Sequence, residues 1–441
     1  MYLSKNKLFQ LIFFTILVIY TIFNGGNSNI LIQINFIALS FFFIICNYNK
    51  NYNTQLKYFI NSNKKSNFFF ILFLFYIIFQ IISLPIEILK IFSFEKYSVL
   101  KKSFNTVKFY SISYDPSDTF FQFLNFASLF LIFLISKMIF QNNKHKKRFY
   151  LFISILGAVS STVAILFYLN GNPDYYVIKN SHNIGSATGF FINRTVFSVF
   201  LLFCLLSCFE QLKYQKYKNS NKNFFYYIYL RLFVVIISIG IITSFSRIGN
   251  FLFLITIIFY LIDSVIFNKK TNKSFINLLI IFIIFDCFVL GMYFGIPKLM
   301  ERLYFLKDEF NSLNDPNLVF FRPSIIEFSF LQMKKFILFG YGGGAFDILF
   351  QLEFKNSTNL YADHSHSDIV EFIGEYGLIG ISFLALSLLK FFSKKETYLS
   401  VNLLISIYLI VIILFDFSLH VPIIQVFFVI FYFLNSRQFK N

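Results

Sequence analysis

The sequence has no tryptophan, only four cysteines, and little charge: 14% of its 441 residues are Asp, Glu, Lys or Arg, and acids are the scarcer sign, 21 against 39 basic residues. Each shortage excludes something. Soluble domains carry about a quarter charged residues, so an ordinary soluble globule is ruled out. Cys46, Cys204, Cys208 and Cys287 all lie in or beside apolar runs, and Cys204 and Cys208 share one predicted helix at a spacing unsuited to a disulfide. They read as buried apolar side chains, with no thiol chemistry suggested. Without tryptophan, the 27 tyrosines must serve the membrane–water boundary alone.

What fills the chain instead is apolar. Hydrophobic residues make up 57% of it, 70 of them phenylalanine, and the mean hydropathy is +0.67. Phe, Ile, Asn, Lys and Tyr are inflated together, as a base-composition bias in the coding genome produces, so aromatic richness alone carries little functional weight. The net charge of +18 sits in short Lys runs between apolar segments. That is the pattern of loops that fix orientation in a membrane, not of a nucleic-acid surface.

A helix needs about 20 apolar residues to cross a bilayer. Twelve spans are predicted, at 8–23, 30–46, 68–89, 119–140, 149–169, 190–209, 224–243, 248–267, 275–294, 369–392, 399–415 and 421–435. The first has a basic start and reads as an uncleaved span. With the N-terminus in the cytoplasm, the inside loops collect "NNKHKKR" (142–148), "KYQKYKNSNK" (213–222), "KKTNK" (269–273) and "KK" (394–395). The opposite loops 24–29 and 416–420 hold no Lys or Arg, while the external 90–118 loop is an exception with several Lys. Both termini come out cytoplasmic. The expectation is an all-α polytopic membrane protein with about 12 transmembrane helices. It divides into N-terminal helices (1–189), helices with Arg-bearing motifs (190–294), a long external loop between spans nine and ten (295–368), and C-terminal helices (369–441). Loops of that length are usually functional or disordered. This one contains a predicted amphipathic helix at 323–336 and the turn-rich "GYGGGAF" (340–346).

The densest chemistry is "ADHSHSDIVEFIGEYGLIG" (362–380). Read as a helix, it sets Asp368, Glu371 and Glu375 on one face, at spacings of three and four. Capping accounts for Asp368. It does not account for Glu375, two turns in. His364 and His366 precede the helix, and no second His cluster in the sequence completes a metal site with them. Asp286, in mid-span nine, is a further buried-carboxylate candidate whose partner is not named by the sequence.

"HSHSDIVEFIGEYGLIG" resembles the signature of the O-antigen ligase and O-antigen polymerase superfamily of bacterial membrane glycosyltransferases. The ligase pattern is His, then Asn, Ser or Gln, nine residues, Gly, two residues, and a small or aromatic residue. Here His366 and Ser367 precede Asp368–Tyr376, then Gly377 and Gly380. A start at His364 would put Glu375 on the Gly position, so His366 is the matched histidine. "GFFINRTVFSVFL" (189–201), "TSFSRIGNFLFL" (243–254), "FFRPSIIEF" (320–328), "FGYGGGAF" and "DFSLHVP" (416–422) resemble further family segments in the same order. Thr195 stands where the family usually has Asn, and no Trp accompanies Arg322. The matches cover about 190–422; residues 1–150 resemble the family only in span layout.

The resemblance implies a GT-C-like fold in the inner membrane, with its active site facing the periplasm. It implies transfer of a glycan from undecaprenyl diphosphate to an acceptor hydroxyl, on lipid A core for a ligase or on a lipid-linked glycan for a polymerase. No cofactor, metal or nucleic acid is implied, and membrane lipids are the remaining partners. Arg194, Arg247 and Arg322 are the expected diphosphate ligands, because a departing diphosphate needs fixed cations and Arg donates in a planar fork. His366 is the expected catalytic residue, which orients or deprotonates the acceptor. His364, Asp368, Glu371, Glu375 and Asp416 support it. "GGG" lacks the Lys-Ser/Thr of a phosphate loop, so no ATP site is expected. A glycan flippase is the rival from another class, but it needs a polar path through the membrane. Here the polar groups collect at one face.

Overall fold

The computed structural model describes residues 5–102, 108–140, 142–174, 185–213, 221–267, 275–282, 284, 322–354, 362–392 and 400–435. In chain order the helices are α1 (Lys5–Ile22), α2 (Asn29–Asn47), α3 (Lys50–Ser62), α4 (Lys64–Ile81), α5 (Ile86–Phe92), α6 (Phe94–Lys102), α7 (Pro116–Ile139) and α8 (Asn143–Leu169). They continue as α9 (Arg194–Lys213), α10 (Asn221–Thr243), α11 (Arg247–Ile262), α12 (Arg322–Lys335), α13 (Phe346–Glu353), α14 (Asp368–Phe392), α15 (Val401–Phe415) and α16 (Pro422–Asn435). Among the described residues, eight helices are long and apolar enough to cross a membrane: α2, α4, α7, α8, α9, α10, α11 and α14. α1, α15 and α16 are shorter apolar helices at positions where spans are expected. Of the expected span 275–294, residues 275–282 and 284 are helical and the rest, Asp286 included, lies outside the described residues.

α9 is the central post. Every residue from Thr195 to Phe209 is buried, as an all-round apolar helix requires, and it packs on α8, α10, α11 and α16. Phe203 meets Tyr408, Phe427, Phe428 and Phe431 at centroid distances of 5.0–5.8 Å. α2 shows the opposite pattern. Ile30, Ile34, Ile37, Phe41, Ile44 and Ile45 form an exposed apolar stripe, the face a lipid would cover.

Two span limits differ from the sequence expectation. The third was expected over 68–89, but α4 ends at Ile81 and Ile82 is already extended. Pro85 is the reason: proline lacks the N–H a helix needs and disfavours α geometry in the residue before it. Leu84 and Pro85 instead form β1, antiparallel to β2 (Phe109–Tyr110). The span expected over 369–392 is interrupted. Gly377 lies at φ 61° and ψ 174°, and the N–H groups of Leu378 and Ile379 bond to Ile337 O (2.7 Å) and Leu338 O (3.3 Å) instead of continuing the α ladder. A side chain at Gly377 would strike Leu338 O, with a Cβ only 2.2 Å away. The acid-bearing opening of α14 is therefore a short segment set off from the stretch beyond it.

One end of the bundle gathers most of the irregular chain. Ile192 N bonds Asn24 Oδ1 (2.9 Å), Ala187 N bonds Thr243 O (2.9 Å), Tyr114 N bonds Tyr341 O (2.9 Å) and Thr119 Oγ1 bonds Gly343 O (2.8 Å). These contacts bring together the turns after α1, α8, α10 and α12 and the start of α7. Lys96, from the Lys-bearing loop that departs from the charge pattern, belongs to this end. Its Nζ donates to Ser111 O (2.9 Å) and Ser113 O (2.5 Å), and burial lowers its pKa to about 8.

Candidate active site

The site grows from the loop 362–367 and the first turns of α14. Asp368 N donates to Asp416 O (3.0 Å), which pins the loop to the turn between α15 and α16. Ser365 Oγ accepts from Ser367 N (3.2 Å) and donates to Ser367 O (2.8 Å). That clamp spans His366, whose φ of 60° is left-handed, uncommon for a residue with a Cβ. His366 is half-buried, its ring edge-on to Phe417 at 5.3 Å.

Asp368, Glu371 and Glu375 share a face as their spacing predicts, and all three turn inward onto one residue that the sequence reading does not single out, His420. Its Nδ1 lies 2.5 Å from Asp368 Oδ1, and its Nε2 lies 3.4 Å from Glu371 Oε1 and 3.8 Å from Glu375 Oε2. Leu419 N donates to the other Asp368 oxygen (3.1 Å), and Gly344 N, from the glycine run, donates to Glu375 Oε1 (2.6 Å). Phe372 stacks on His420 at 4.5 Å and 10°. Burial works against the His420 imidazolium, but Glu371 and Asp368 outweigh it and hold its pKa well above the ordinary 6.5. A cation is what three buried carboxylates need, since an unpaired buried charge is strongly unfavourable.

His364 is the outer member. Its Nδ1 lies 2.8 Å from Glu371 Oε1, and Ser365 N donates to Glu371 Oε2 (2.7 Å), so both carboxylate oxygens are held. The His364 ring stacks on Phe417 at 4.9 Å and stands 4.8 Å from the His420 ring. Its side chain is 24% exposed, against 1% for Glu371 and 4% for His420.

His364, Glu371 and His420 offer ligand atoms within 4.8 Å of one another, the one set among the described residues with the makings of a cation site. The spacing suits protons better. Two ligands on one tetrahedral zinc, each about 2.0–2.1 Å from it, stand roughly 3.4 Å apart. His364 Nδ1 and Glu371 Oε1, at 2.8 Å, are at hydrogen-bond distance.

The expected cations stand at helix mouths. Arg194 opens α9 and Arg247 opens α11, both exposed. Asn193 caps the first by accepting from Thr195 N (2.7 Å), and Ser246 caps the second by accepting from Gly249 N (3.1 Å). The two helices touch closely here: a Cβ on Gly249 would fall 2.2 Å from Ser198 Oγ, one turn beyond Arg194. The arginines therefore open neighbouring helices at one end. Arg322 is the first residue of α12, and its side chain lies outside the described residues. Asp416 is buried, and Ser418 Oγ donates to its Oδ2.

An apolar cavity of about 460 Å³ adjoins the cluster. It lies among α4, α7, α14, α15 and α16 and is lined by Phe126, Phe130, Phe372, Leu384, Leu409 and Phe428, among others. Phe372 is shared: its ring lines the cavity and covers His420.

The long apolar helices are those of a multi-pass membrane protein, and the buried acid–imidazole cluster lies near one end of them. The O-antigen ligase family model matches residues 232–385, from α10 into α14, so this region is similar to that family. The matched region holds Arg247, Arg322, the glycine run and His364 to Glu375; Arg194, Asp416 and His420 lie outside it. No curated protein matches the chain.

Proposed function

We propose that the protein is a membrane glycosyltransferase of the O-antigen ligase type. It moves a glycan from undecaprenyl diphosphate to a hydroxyl of lipid A core, at the periplasmic face of the inner membrane. The observation that carries this reading is the family match over a region whose His364, Glu371 and Glu375 gather with His420 at the opening of α14. The donor's diphosphate belongs at the membrane surface and the acceptor sugar arrives from water, so a group that meets both must stand at that boundary. Arg194, Arg247 and Arg322 take the diphosphate charge as it develops on the leaving group. His366, in the family register, orients the acceptor hydroxyl. The cavity beside Phe372 has the apolar lining that a prenyl chain requires.

Transfer on this reading needs no metal and no nucleotide, and EDTA leaves the rate of purified protein unchanged; abolition by EDTA would reverse that point. Deletion of the gene, followed by gel analysis of lipopolysaccharide, tests the assignment. A ligase leaves no capped core. Core bearing a single repeat unit would instead identify an O-antigen polymerase, and unchanged lipopolysaccharide would turn attention to a protein acceptor.

A further inference from the structure

We infer that His364 takes the acceptor's proton, and that Glu371 and His420 are the positioning residues behind it. This rests on the glycosyl-transfer reading and divides the work of the two neighbouring imidazoles. Four side chains form a line from the interior outward. Asp368 holds His420 Nδ1 at 2.5 Å, His420 Nε2 faces Glu371 Oε1 at 3.4 Å, and the same oxygen meets His364 Nδ1 at 2.8 Å. The first three are nearly closed to solvent, at 0–4% exposure, and His364 at the outer end is 24% exposed.

The geometry fixes the chemistry at the outer end. When Nδ1–H of His364 donates to the Glu371 carboxylate, Nε2 carries the lone pair. Ser365 N on the second oxygen of Glu371 and the stacked Phe417 ring prevent that imidazole from turning. A base held by an oriented carboxylate, its other nitrogen available, is the arrangement general-base catalysis uses. The groups packed around His364 are Glu371 from α14 and Phe417 and His420 from the turn between α15 and α16. The His366 ring meets Phe417 edge-on.

The step balances without a further reactant. The acceptor oxygen bonds the anomeric carbon, and the carbon–oxygen bond to the diphosphate breaks with its electron pair going to the leaving phosphate. The hydroxyl proton passes to Nε2 of His364. Proton loss from His364 to water then resets the site.

The test uses membrane vesicles that carry the full-length protein with its native lipid-linked donor and acceptor, and it reads the rate of donor loss. His364→Ala lowers kcat by about 10²–10⁴-fold while the KM for donor holds. Added imidazole restores part of that rate, which it cannot do for a merely misfolded variant. Glu371→Gln lowers kcat with KM held and is not rescued by imidazole. Wild-type turnover in His364→Ala, or rescue of His366→Ala and not His364→Ala, overturns the assignment and leaves the glycosyl-transfer reading standing. Wild-type vesicles that never consume donor overturn both.

Discussion

The two ends of the helical bundle use charge in opposite ways. At one end single cations meet neutral groups or one acid: Lys146 Nζ donates to Leu434 O (2.6 Å) and Asn435 Oδ1 (2.8 Å), and Lys213, at the end of α9, pairs with the buried Asp263. At the other end three carboxylates and an imidazole are nearly removed from solvent and face one another. Surface Lys that set orientation cost little to keep. A buried acid cluster is expensive, and replacing such charges with well-packed apolar groups is often neutral or stabilising. On the proposed function, charge that orients the chain is thus separate from charge that does chemistry.

The largest expected break of this contrast is His420→Ala. It removes the cation among Asp368, Glu371 and Glu375, and breaking a buried pair in this way costs about 3–5 kcal/mol. Lys146→Ala, at the opposite end, costs about 1 kcal/mol or less, the scale of ordinary hydrogen bonds. Thermal melts in detergent compare them. The same melts give the pH sign. The His420 pKa is raised on folding, so its contribution is complete below about 6.5 and is lost as pH climbs through the raised value. The His420 share of wild-type stability is therefore present on the acid side and declines on the alkaline side, and His420→Ala removes that decline. Equal slopes in both proteins would show that the cluster is held by other means.

A smaller effect is expected from the arginines. Arg247→Lys keeps the charge and loses the fork, so transfer falls by roughly 10-fold or more, within the range for losing one oriented donor. Arg231→Lys, within α10, changes transfer by less than about twofold, as expected of a chain that only reaches the membrane edge. Equal tolerance at both positions would mean that Arg247 also only reaches the membrane edge. The smallest perturbation is a reporter joined after Asn317, which leaves the bundle alone. It is active only if the reporter works in the periplasm, and cytoplasmic activity there would place the site on the wrong side of the membrane for this mechanism.

Much of the helical layout was legible because burial in lipid writes itself as length and hydropathy. The spacing of Asp368, Glu371 and Glu375 also gave their shared face correctly. His420 was not legible, although "DFSLHVP" was read as a family segment, because its partners stand about 50 residues away and only tertiary packing brings them together. The same holds for Gly344 N on Glu375: the glycine run looked like a turn, and nothing local says which carboxylate its amide will meet. The break at Gly377 was hidden for another reason. Apolar residues continue on both sides of it, and hydropathy does not register a single φ. Pro85 was a visible signal that the apolar run outweighed.

The most direct measurement of the central claim compares the two ends in living cells: the pool of lipid-linked glycan in strains that carry His366→Ala or Lys146→Ala, at equal protein level. The account predicts that donor accumulates strongly with His366→Ala and stays at the wild-type level with Lys146→Ala. Accumulation with Lys146→Ala alone, or with neither, would contradict the assignment of transfer to the acid–imidazole end.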